Sequence, residues 1–108
     1  MSNTQRLLRE MVLWRSDPSL APRLRAEALR GSADAQYALG LVYAEGRGVE
    51  EDMVESWAWL TLAVMQGDAD AETLRYVVAE RMSSLQCERA ERRAATIARE
   101  IAGASTSQ

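Results

Sequence analysis

The sequence predicts an all-α protein, a short α-solenoid of about three antiparallel helix pairs, and three observations carry that expectation. The first is composition. The 108 residues are 47% hydrophobic, yet the apolar content is carried by Ala, Leu, Val and Met, with no Phe and only two Pro, a set that favours helices over strands. The second is an internal repeat. Gly31-Ser32-Ala33-Asp34-Ala35-Gln36 returns 36 residues later as Gly67-Asp68-Ala69-Asp70-Ala71-Glu72, with Leu24/Leu60 and Ala28/Val64 upstream in the same offset. A period in the mid-thirties is that of a helix pair that buries its apolar face by stacking on its neighbours. The third is helix punctuation, which divides the chain into six segments. At this length and hydrophobic content the chain makes one domain with a core of its own.

The first segment spans residues 4–14, with Leu7, Leu8, Met11 and Val12 on one stripe. The second follows Asp17-Pro18, a capping acid and a proline suited to a first turn, and reaches Arg30 before Gly31 stops it. The third covers residues 33–45, with Ala35, Ala38, Leu39, Val42 and Tyr43 at helical spacing, and Gly46-Arg47-Gly48 then turns the chain. The fourth, residues 52–66, is apolar around nearly its whole circumference from Trp57 to Met65. A helix with no polar face must be covered on several sides, so this one is expected at the centre. Gly67 ends it and Asp68 caps the fifth segment, residues 69–82, whose Ala71, Leu74, Val78 and Met82 point inward. Ser83 and Gln86 form a capping box for the sixth, which runs to Ala102 with a frayed tail at residues 103–108. In units, this gives a degenerate N-terminal pair over residues 1–31, a full repeat over 32–67 and a divergent C-terminal capping pair over 68–102.

Absent residues remove whole classes of chemistry. There is no His and a single Cys, Cys87, so His-assisted nucleophilic catalysis, His-ligated metal sites, thiolate zinc cages and intramolecular disulfides are all excluded. No catalytic, metal-ligating or cofactor-binding residue is expected, and Cys87 is read as packing on an apolar stripe. The N-terminus is too charged for a signal peptide and no apolar run reaches membrane-spanning length, which points to a cytoplasmic protein without membrane contact. All 13 basic residues are Arg, and those at 89, 92, 93 and 99 are interleaved with Glu, so no basic face for nucleic acid emerges. Residues 45–72 hold eight acids and one Arg. The Glu50-Glu51-Asp52-Glu55 run is read as a solvated helix start rather than a metal or acid/base cluster.

Residues 35–67, AQYALGLVYAEGRGVEEDMVESWAWLTLAVMQG, resemble the Sel-one-like repeat, a tetratricopeptide-related helix pair. Ala35, Tyr37, Leu39, Gly40, Tyr43, Gly46, Gly48, Val49, Asp52, Trp59, Ala63 and Gly67 stand at the anchor positions of that pattern, and Ser56 stands where the family usually has Ala. Ala35 and Gly40 permit close helix approach, while Tyr37, Tyr43 and Trp59 supply bulk. Only this central third matches in full. At the equivalents of Leu39 and Gly40, one period later, the chain has Arg75 and Tyr76, a break that suits a terminal cap.

The resemblance implies a bacterial, non-enzymatic adaptor that binds another protein, since members of the family commonly serve as scaffolds in signalling, secretion and envelope processes. First helices of stacked pairs line the concave face, which selects Gln36, Glu72, Arg75 and Tyr76, together with Trp57, as candidate partner-binding residues. The alternative is an inhibitor, immunity or secretion-chaperone protein that occludes a specific effector enzyme, for which the acidic middle would suit a basic target. An apolar ridge left open at an end of the array would instead drive homodimers.

Overall fold

In the computed structural model of the chain, residues 17–106 are described. The helix expected over residues 4–14, with Trp14 at its end, lies outside them. The described residues form five helices and no strand: α1 (Leu20–Leu29), α2 (Ala33–Glu45), α3 (Met53–Met65), α4 (Ala69–Glu80) and α5 (Ser84–Thr106). The fold of the described residues is all-helical, and each of α1 to α4 packs on its neighbour in sequence.

The 36-residue repeat is a repeat of helix ends. At the first copy the Gly31 N–H donates to the Ala28 carbonyl and the Ser32 N–H to the Glu27 carbonyl; at the second, Gly67 donates to Val64 and Asp68 to Ala63. This paired closure satisfies carbonyls that a helix end would otherwise leave open, and it needs a left-handed residue. Gly31 and Gly67 supply it, at φ 97° and 91°. The next residue then starts the following helix: Ser32 Oγ accepts from the Ala35 N–H at 3.2 Å and Asp68 Oδ1 from Ala71 at 3.1 Å. Asp52 caps α3 in the same way through the Glu55 N–H. Ser83 and Gln86 make the reciprocal capping box before α5.

The apolar circumference of α3 is explained by its neighbours, since it packs against α2, α4 and α5. One core cluster joins Leu24 and Ala28 of α1, Leu39 and Val42 of α2, Trp59 and Leu62 of α3, and Ala94 and Ile97 of α5. A second joins Tyr37 of α2, Leu60 and Ala63 of α3, and Ala71 and Val78 of α4. Close approach of α2 to α3 depends on Gly40, where a Cβ would lie 2.5 Å from Leu60 Cγ and 3.2 Å from the Ser56 carbonyl oxygen. The Ser56 hydroxyl, at a position where the resemblance favours Ala, donates to the Gly40 carbonyl at 2.6 Å.

Two features depart from the sequence expectation. The last helix continues through Gly103 to Thr106 instead of stopping at Ala102, because one glycine costs a helix only about 1 kcal/mol and the following residues do not break it. The course of α5 also differs from that of a simple hairpin partner. It lies along α3 and touches α1, because its buried stripe of Ala90, Ala94 and Ile97 finds its apolar surface there.

Candidate binding groove

Because α5 is placed on α3, no helix among the described residues lies over the outer side of α4. Glu72, Thr73, Tyr76, Val77 and Glu80 are exposed along it, and Tyr76 and Val77 retain 70% and 50% of their accessible surface. Beside them Trp57 of α3 is half-buried, packing its ring against both core clusters. The result is a groove of about 730 Å³ lined by Trp57 and by Ala69, Glu72, Thr73, Arg75, Tyr76, Val77 and Ala79 of α4.

Arg75 organises one wall. Its guanidinium carbon sits 5.3 Å from the centre of the Trp57 ring, and Nη1 donates to Thr61 Oγ1 at 3.2 Å. Thr61 in turn donates its hydroxyl to the Trp57 carbonyl at 2.9 Å, the spacing of one helical turn. Ring face and hydroxyl together hold a long, flexible side chain in one orientation, with an attraction of cation to ring quadrupole in addition. Thr73 and Val77 line this groove and Thr61 anchors Arg75 beside it, and the sequence alone did not bring these three forward; the signal was the one-turn spacing of Thr73 from Ala69 and of Thr61 from Trp57, and the adjacency of Val77 to Tyr76.

Four of the five residues selected from sequence therefore meet in one place: Trp57, Glu72, Arg75 and Tyr76. The fifth does not. Gln36 is 1% exposed, and its amide donates to the Ala28 carbonyl at 3.1 Å while its Oε1 accepts from Gln66 Nε2 at 2.9 Å. It is a buried tie between α1, α2 and the end of α3, not a surface reader. Glu72 holds the equivalent repeat position and is exposed, because an ionised carboxylate has no hydrogen to give the helix end that Gln36 binds.

The remaining chemistry-bearing groups have structural roles. Of the acidic run, Asp52 caps α3, Glu55 is bound to Arg93, and Glu51 lies 3.9 Å from Arg81. Cys87 is half-buried on α5. Among the described residues no group of three or more Cys, Asp or Glu is placed to hold a metal ion, and no helix is long and apolar enough to cross a membrane.

Part of the chain is similar to a known protein. Over 51 residues it is 41% identical to the alginate biosynthesis protein AlgK of Azotobacter vinelandii, a stretch covering 47% of this chain and 11% of that protein. The chain thus matches about a tenth of the length of this curated relative. No family model matches the chain, and no solved structure matches it.

Proposed function

We propose that this chain is a non-enzymatic protein-interaction module whose binding face is the groove between α3 and α4. The observation that carries the reading is the exposed Tyr76–Val77 pair beside a half-buried Trp57 held under Arg75. Aromatic and arginine side chains at a concave, partly dry site are the composition of interface hot spots. In a helical array each element buries its face on the next, and α4 offers the face that α5 leaves open. The partial likeness to AlgK supports a shared helical unit, while the choice of face rests on the groove.

Photo-crosslinking in the native host tests this. A crosslinking residue at position 76 should trap a defined partner, one at position 100 on the exposed side of α5 should not, and Val77→Asp should abolish the adduct. Equal adducts at both positions, or none at 76, would refute the assignment. Tyr76→Ala should change stability by no more than about 0.5 kcal/mol, as expected of an exposed side chain, whereas Trp59→Ala, at 1% exposure, should cost about 3–5 kcal/mol.

A further inference from the structure

Most arginines among the described residues are paired. Arg23 meets Asp17, Arg25 and Arg93 meet Glu55, Arg30 meets Glu27, Arg47 meets Glu45, Arg81 meets Glu51, and Arg92 meets Glu88. Among the described residues Arg75, Arg89 and Arg99 have no carboxylate within ion-pair distance. Arg89 and Arg99 are exposed, so water solvates them. Arg75 is half-buried, and its contacts are a ring face and a neutral hydroxyl.

That combination has a physical meaning. A guanidinium has five N–H donors in a rigid fork, and Thr61 takes one of them. The others border an apolar groove in which a charge interacts more strongly than in water. Fixing the fork beforehand removes much of the entropy that an arginine loses on forming a bidentate ion pair. One turn earlier on α4, Glu72 stands on the same wall with the opposite charge, about 4.5 Å along the axis.

We infer that the groove takes a helical segment of a partner protein bearing an Asp or Glu side chain between apolar residues, seated against Arg75, with a basic side chain one turn away against Glu72. This rests on the groove being the binding face. The pair of opposite charges fixes the direction in which the segment lies, since reversing it would set like charges against each other. Tyr76, Val77 and Trp57 meet its apolar side chains.

The test is selection of a displayed library of random amphipathic helices on the full chain. The expected result is enrichment of helices with an Asp or Glu flanked by apolar residues. A synthetic peptide of the enriched sequence should lose about tenfold in affinity when that acid becomes its amide, the scale of a charge-assisted hydrogen bond. The loss should vanish against the Arg75→Gln chain, whose fold is checked by thermal melting. Equal binding of acid and amide peptides, with Tyr76→Ala still weakening both, overturns the inference and leaves the groove as the binding face. Binders indifferent to Tyr76→Ala, or no binders, overturn both. Enrichment of basic helices, or a concentration-dependent dimer that blocks the groove, replaces the acidic segment with another occupant.

Discussion

Arg93 of α5 donates through Nε to Glu55 Oε1 of α3, at 2.5 Å across 38 residues of chain. The other carboxylate oxygen, Oε2, is buried without a hydrogen-bond partner and lies 4.0 Å from Arg25 of α1, whose guanidinium also donates to the Tyr43 hydroxyl of α2. One carboxylate thus gathers four helices, and it marks where α5 is fastened to the array. Apolar burial of Ala94 and Ile97 supplies adhesion without direction, whereas this ion pair fixes the register of α5 on α3.

Glu55→Gln should therefore destabilise the protein by about 1–3 kcal/mol, because Arg93 keeps its partly buried position and loses its counter-charge. The double substitution Glu55→Gln with Arg93→Gln should cost less than the sum of the two single changes. Urea denaturation of the four proteins measures this, and strict additivity would show the two residues to be uncoupled.

Gly40→Ala should cost about 1–3 kcal/mol even though alanine is the better helix former. The added methyl would overlap Leu60, which is fully buried and cannot swing away, and would crowd the Ser56 carbonyl. Separation of α2 from α3 would also stretch the Ser56–Gly40 hydrogen bond. Thermal melting monitored by circular dichroism decides the matter: a stability equal to or above that of the parent chain would mean that helix spacing is not set at Gly40.

Much of this architecture was legible in the chain because its signals are local. A capping box, an aspartate before an apolar run and a glycine at a fixed period act within one or two helical turns, and residues 32–45 and 52–68 fold as their spacing dictates. The path of α5 was not legible. Its stripe of Ala90, Ala94 and Ile97 announces a buried face, but which surface buries it depends on groups distant in sequence, such as Glu55. Gln36 and Glu72 illustrate the same limit at a single repeat position. Their backbones are equivalent, and the difference between an amide that can donate and a carboxylate that cannot turns one inward and the other outward.

Gln36→Glu is thus a sharper probe than truncation, for it keeps volume and exchanges the amide donor for an ionised acceptor. The Ala28 carbonyl at the end of α1 would face a carboxylate, and the Gln66 amide alone would be left to partner it. A loss of about 1–3 kcal/mol is expected. Burial against that carbonyl holds the new carboxyl above the ordinary glutamate value, and because it regains a donor when protonated, the defect should shrink as pH falls through the raised value and be gone below about pH 4. A variant as stable as the parent at neutral pH would show that the amide donor contributes nothing.

The alkaline limb of stability should be governed by Tyr37. Its phenol is held above the ordinary value of 10.0, first by burial and then by the carboxylates of Asp70, Asp68 and Glu45. The unfolded chain releases this proton near pH 10, while the folded chain retains it to higher pH. Between the two values the folded state binds more protons, so its stability is complete below about pH 10 and declines as pH rises through the folded value. The chain contains no Lys, since all 13 basic residues are Arg, which keeps its positive charges constant across this range. Tyr37→Phe should accordingly flatten the decline when unfolding free energy is measured from about pH 9 to about pH 12. An unchanged slope would assign the alkaline loss to another group.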